Sequence, residues 1–114
     1  MNIKERISAS QKNREKVSIE MSEWPDENGK PTIIYVTEMT AGESVKVMKL
    51  LEEEDSEVSV LVDTIIMKVT DETGNRIFEE GDKDMLLSER AATLQKISDT
   101  ISGLQTSVED AAKN

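Results

Sequence analysis

Cysteine and histidine are both missing from this chain. Without cysteine, no disulfide staples the fold and no thiolate serves as nucleophile or metal ligand. An intracellular setting is the natural expectation. Without histidine, the commonest general base and metal ligand is gone. Aromatic residues are scarce too: Trp24, Tyr35 and Phe78 make up 3% of the chain. Apolar residues reach only 36%, so the core has to be thin and aliphatic. No apolar run approaches the roughly 20 residues of a membrane-spanning helix. Residues 1–10 hold no apolar stretch of a secretory signal. Basic residues are few as well, 14 against 24 acidic ones, for a net charge of −10. That balance disfavours nucleic acid and anionic membranes as partners. It favours solubility and permits docking to a basic partner.

What is present fits one domain of 114 residues. Residues 1–16 are polar and charge-mixed. Ile3 and Ile7 are four apart, the spacing of a single stripe on a short helix. This segment is expected to be a flexible or frayed-helix arm. The period then changes to two: Val17, Ile19 and Met21 alternate with Ser18, Glu20 and Ser22. Trp24 and a turn-rich stretch from Pro25 to Pro31 follow, with Asn28-Gly29 able to supply positive φ. Thr32-Ile33-Ile34-Tyr35-Val36-Thr37 is β-branched. The pattern predicts a β-hairpin over 17–37, whose edges are open to docking.

Helical periods take over beyond the hairpin. Thr40-Ala41-Gly42-Glu43 fits a capping box and predicts a helix over 40–54, with Val47, Leu50 and Leu51 on one face. Val58, Leu61, Val62, Ile65, Ile66 and Val69 form one stripe over 57–69. A strand competes there, but it would place Asp63 on the face of Leu61 and Ile65, so helix is preferred. Residues 70–76 form a turn in which Asp71 hydrogen-bonds ahead and Gly74 takes the left-handed region. Asp82 or Lys83 opens a short turn holding Met85, Leu86 and Leu87. Ser88 reads as the cap of a final amphipathic helix over 88–108. Leu94, Ile97, Ile101, Leu104 and Val108 step along it as a two-position stripe. Residues 109–114 read as a frayed tail. No internal repeat is evident. The expected fold is α+β: mainly α, three to four helices, with a small N-terminal β-hairpin.

No chemistry of catalysis or cofactor binding emerges. The stretch from Asp71 to Glu80 lacks the ligand spacing of a calcium loop. There is no Gly-rich phosphate loop, and no base stands near a serine. No metal, no cofactor and no enzymatic activity are expected. Met21, Met39, Met48, Met67 and Met85 are adaptable fillers of a loose core, or parts of a promiscuous binding face. Trp24 suits either a hairpin anchor or an interface.

The order of these features resembles the small tail assembly chaperones of long-tailed bacteriophages and prophages. An extended region carries Trp24, followed by Ile33-Ile34-Tyr35-Val36. Then come Met39-Thr40-Ala41-Gly42-Glu43 and a helix. An aliphatic helix ends in Val69-Thr70-Asp71-Glu72-Thr73-Gly74-Asn75-Arg76-Ile77-Phe78, similar to the family's "v-x-D-x-x-G-x-x-l-F" turn. Asp82, Leu86-Leu87 and a closing amphipathic helix complete the set, which spans 17–108. The family commonly has an Arg after the β-branched run, where this chain has Thr37-Glu38.

The resemblance implies a non-enzymatic protein that coats the tape measure protein, keeps it soluble and leaves as the tail tube assembles. It implies self-association, and a longer frameshifted form that engages the tail tube protein. It also implies residence in the cytoplasm of the bacterial host and absence from the mature virion. Trp24, Leu94, Ile97, Ile101 and Leu104 are the expected partner-binding residues; Asp71, Gly74 and Phe78 are the expected structural turn. An acidic inhibitor or DNA mimic, and a structural subunit of the virion tail or head completion, are the alternatives. Its carboxylates fall in loops and mixed helices rather than along one face, which counts against a DNA mimic.

Overall fold

Two loops of the same chemistry set the frame. Asp26-Glu27-Asn28-Gly29-Lys30 and Asp71-Glu72-Thr73-Gly74-Asn75 close in the same way. In each, the Asp N–H donates to the carbonyl of the fifth residue, at 2.7 and 2.9 Å, and the Gly N–H donates to the Asp carbonyl, at 3.0 and 3.1 Å. The Asp Oδ1 accepts the amides of the third and fifth residues, at 2.8 and 3.0 Å in the first loop and 2.9 and 3.0 Å in the second. Gly29 (φ 78°) and Gly74 (φ 92°) take the left-handed region that costs a residue with Cβ. A short repeated turn is therefore present, although the sequence shows no repeat at the scale of whole elements.

The computed structural model describes residues 2–54 and 56–113, with side chains through Leu104. Strands β1 (Val17–Pro25) and β2 (Pro31–Val36) form an antiparallel hairpin around the first loop. The register pairs Val17 with Val36, Ile19 with Ile34 and Met21 with Thr32, and it shifts between Met21 and Pro25. Ile19, Met21, Ile34 and Val36 point inward and are buried, as the period of two predicts. The second loop brings Thr70 alongside β2, where Thr70 and Tyr35 exchange backbone hydrogen bonds at 2.9 and 3.0 Å. One edge of the hairpin, expected to be open to docking, is thus partly covered by the chain itself.

Among the described residues the helices are α1 (Ile3–Lys12), α2 (Ala41–Glu53), α3 (Glu57–Lys68), α4 (Lys83–Leu87) and α5 (Ala91–Lys113), with a 3₁₀ turn at Glu80–Asp82. The chain is mainly α with a small N-terminal hairpin. Five α-helices are described against the three to four expected, because the arm is ordered as α1 and the 83–87 turn completes a helix. The capping box of α2 is formed: Thr40 Oγ1 accepts the Glu43 amide at 3.0 Å, and Glu43 accepts the Thr40 amide at 2.9 Å. Segment 57–69 is helical, as preferred over strand. The face it buries runs through Val60, Val62, Ile65, Ile66 and the following Val69, while Val58 is 52% exposed.

Ser88 does not cap the last helix. Its amide donates to Asp84 and Met85 carbonyls, and its hydroxyl donates to the Asp84 carbonyl at 3.0 Å, so it closes α4. The last helix starts at Ala91 and runs to Lys113, past the expected end at 108. The expected tail is therefore helical as far as Lys113; Asn114 lies outside the described residues. The core gathers the inner hairpin face, α3, Leu86 of α4, and Leu94, Ile97 and Ile101 of α5.

Candidate functional site

Burial first sorts the expected partner-binding residues. Leu94, Ile97 and Ile101 are 2%, 0% and 3% exposed. They fill the core under the hairpin and α3, and of the three only Ile101 also lines a surface groove. The α5 stripe, expected to bind a partner, is thus mostly core in this structure. A two-position stripe on a helix is the same pattern whether it faces the chain's own core or another protein. Leu104 packs half-buried at the margin of that core. Val108 lies beyond the described side chains.

Trp24 is half-buried and meets Phe78 edge to face, with ring centroids 6.2 Å apart and planes at 72°. The two rings, Met85, Leu86 and Glu89 line an open cavity of about 320 Å³. Asp71 and Gly74 sit together in the second loop; Phe78, four residues beyond Gly74, packs on the core rather than in the turn. The Asp71 carboxyl is held below its ordinary range by the Thr73 hydroxyl and the Asn75 amide. Its oxygen is thereby committed to the turn, and no group of three or more acidic residues suited to a metal is found among the described residues.

The main apolar feature lies elsewhere. α2 carries Val45, Val47, Met48, Leu50 and Leu51, more apolar side chains than one packed face can hold, and none of its residues is fully buried. Val45, Met48 and Leu51 are 50%, 62% and 53% exposed, forming a ridge. Val58, near the start of α3, is exposed as well. Beside the ridge, α2, α3 and α5 enclose a groove of about 280 Å³, lined by Met39, Val47, Leu51, Leu61, Ile101 and small polar residues, with Glu57 as the one charged lining residue. Above the groove, α2 leaves its outer side bare. The sequence signal was the excess of apolar positions on α2, spread round more than half of its circumference; the stripe Val47, Leu50, Leu51 captured only the packed part.

Two polar clusters hold this surface in place. Lys68 is buried, and its Nζ donates to Glu43 Oε1 at 2.9 Å, Thr37 Oγ1 at 3.0 Å and the Glu38 carbonyl at 3.1 Å. All three ammonium donors are used, fixing the start of α2 on the end of α3. Burial alone raises the Glu43 carboxyl, but the Thr40 amide and Lys68 outweigh it and hold it below the usual range. Thr37 and Glu38 thus serve as acceptors for this lysine, through the Thr37 hydroxyl and the Glu38 carbonyl. At the other end, Lys83 bridges Glu54 and Asp63 at 3.2 and 3.1 Å. Burial pushes the Asp63 carboxyl up and Glu54 adds to it, while Lys83 pulls the other way. Asp63 and then Glu54 in turn raise the Lys83 ammonium. This triad ties the end of α2 and the start of α4 to the middle of α3, beside a polar cavity of about 430 Å³. Neither cluster resembles a reaction centre: each is an ion-paired tie between elements. Sequence reading missed both, because ion pairs between residues 20 to 30 positions apart leave no local pattern.

No described helix is long and apolar enough to cross a membrane. The chain matches no protein-family model, no curated protein and no solved structure.

Proposed function

We propose that the chain is a non-enzymatic tail assembly chaperone of a long-tailed bacteriophage or prophage, which shelters apolar helices of the tape measure protein until the tail tube forms around it. The observation that carries this is the bare ridge of Val45, Met48 and Leu51 beside the groove of α2, α3 and α5. Soluble monomers rarely leave a contiguous apolar face uncovered without a partner for it. Helix-in-groove recognition uses such a face, and Met adapts it to varied sequences. The net charge of −10 supports the same role, since it keeps a complex with an apolar client in solution. The ordered resemblance over 17–108 supplies the client's identity. The protein then acts in the host cytoplasm and departs before the virion matures; a longer frameshifted form brings in the tail tube protein.

Co-expression with the tape measure protein encoded nearby tests this. The client moves into the soluble fraction with the wild-type chain, and Leu51→Glu with Met48→Glu abolishes that shift while the variant itself stays folded. A client equally insoluble with and without this chain ends the proposal, as does finding the chain in stoichiometric amounts in purified particles.

A further inference from the structure

The cavity beside Trp24 takes no part in the α2 ridge. Trp24, Phe78, Met85 and Leu86 make its walls apolar, and Glu89 is the one charged residue that lines it. Met85 is 58% exposed, so the walls open to solvent. Glu89 is half-buried, and no ion pair or side-chain hydrogen bond among the described residues holds its carboxylate. Arg90, next in the chain, is exposed and does not pair with it.

Apolar walls around one unpaired carboxylate match a side chain that is itself an apolar stem ending in a cation. Lys and Arg lay their methylene stems along apolar surface and keep the charged head polar. Aromatic rings attract such a head through their quadrupole, and a carboxylate holds a guanidinium by two parallel hydrogen bonds. The surrounding charge extends the preference. Residues 77–89 hold five acidic side chains and one basic, Lys83. That lysine is committed to Glu54 and Asp63. Glu79 and Asp84, beside Phe78 and Met85 in the chain, are exposed. Acids spread over more than one side chain's reach suit a run of basic residues better than a lone amine.

We infer that this cavity docks a basic segment of a partner protein, with one Arg or Lys side chain seated against Trp24, Phe78 and Met85 and its cationic head on Glu89. The site shares no lining residue with the α2, α3 and α5 groove. It stands whether or not the chain solubilises a tape measure protein, because that test reads Met48 and Leu51.

Trp24 is the one tryptophan of the chain, so its fluorescence reports on the cavity directly. The probe is a tryptophan-free peptide, acetyl-Lys-Leu-Ala-Arg-Ala-Leu-Lys-amide, titrated into the full chain. Binding shifts the Trp24 emission to the blue and saturates with a dissociation constant below about 1 mM. Replacing the peptide's Arg by uncharged citrulline weakens binding about tenfold or more, and so does Glu89→Gln, which keeps the side chain's shape and removes its charge. Met85→Lys, at an exposed position, weakens it too, by setting a like charge at the mouth. Glu52→Gln, on α2 and outside the cavity lining, leaves the affinity within about twofold, which separates a seated cation from attraction to the net charge of −10. Unchanged circular dichroism confirms that each variant is folded. An emission spectrum unmoved by about 5 mM peptide overturns the inference. So does a citrulline peptide that binds as well as the original, an affinity indifferent to Glu89→Gln, or acetyl-arginine-amide binding as tightly as the whole peptide.

Discussion

Gly74 shows how much one residue contributes. Its φ of 92° is open to glycine and strained for alanine, although nothing crowds the site. Gly74→Ala is expected to cost about 1–2 kcal/mol, read as a lower urea midpoint with an unchanged slope. Lys68 contributes through satisfaction rather than conformation. Lys68→Met leaves Glu43 and two neutral acceptors without their donor, for a loss of about 1–3 kcal/mol. A double-mutant cycle with Glu43→Gln isolates the pairing; a coupling of zero would show that the lysine acts only through its stem.

Acid separates the carboxyls by sign. Glu43 and Asp71 sit below their ordinary ranges, so the stability they contribute is complete above the unfolded values and is lost as pH falls through the folded ones, below about pH 4. Asp63 is raised and contributes in the opposite sense. The expected profile is a fall in melting temperature below about pH 4, shallower in Glu43→Gln and steeper in Asp63→Asn. A melting temperature that climbs as pH drops through this window would contradict these signs.

Among elements, α5 and α2 divide the work of stability and binding. Ile97 is fully buried, so Ile97→Ala is expected to cost about 2–4 kcal/mol. Leu51 is half in solvent, so Leu51→Glu is expected to change stability by less than about 1 kcal/mol, and, under the function proposed above, to abolish client binding. Thermal melts beside a pull-down assay separate the two effects. The same contrast explains which elements were legible. The hairpin alternation, the Thr40 capping box and the 57–69 period are local patterns, and all three elements form. The start of the last helix was misplaced because Ser88 suits two roles, capping a new helix or closing the previous one; the packing of Leu86 in α4 selects the second.

Across the whole molecule, the thin core and the excess negative charge belong together. A chain with 36% apolar residues that leaves Val45, Met48 and Leu51 bare relies on repulsion between its copies to stay dispersed. Neutralising the three exposed glutamates of α2 and α3, Glu52, Glu53 and Glu57, to Gln should lower solubility, measured as turbidity against concentration. Unchanged turbidity would show that charge is not what keeps the ridge in solution.

Turn chemistry and periodicity by themselves determined the fold class of this protein. Lack of imidazole and thiol, the turn chemistry of Asp and Gly, and periods of two and 3.6 are properties of neighbouring residues, which the chain carries into any fold. Which apolar stripe faces inward was decided only in three dimensions. Both the α5 stripe and α2 read as amphipathic helices in sequence, yet α5 buries Leu94, Ile97 and Ile101 while no residue of α2 is fully buried. The Lys68 and Lys83 ties were likewise settled by folding, because their partners meet only when distant segments pack. The exposed apolar surface lies mainly on α2 rather than α5 for that reason: burial is a property of the folded molecule, and no stretch of sequence states which side of a helix is left over.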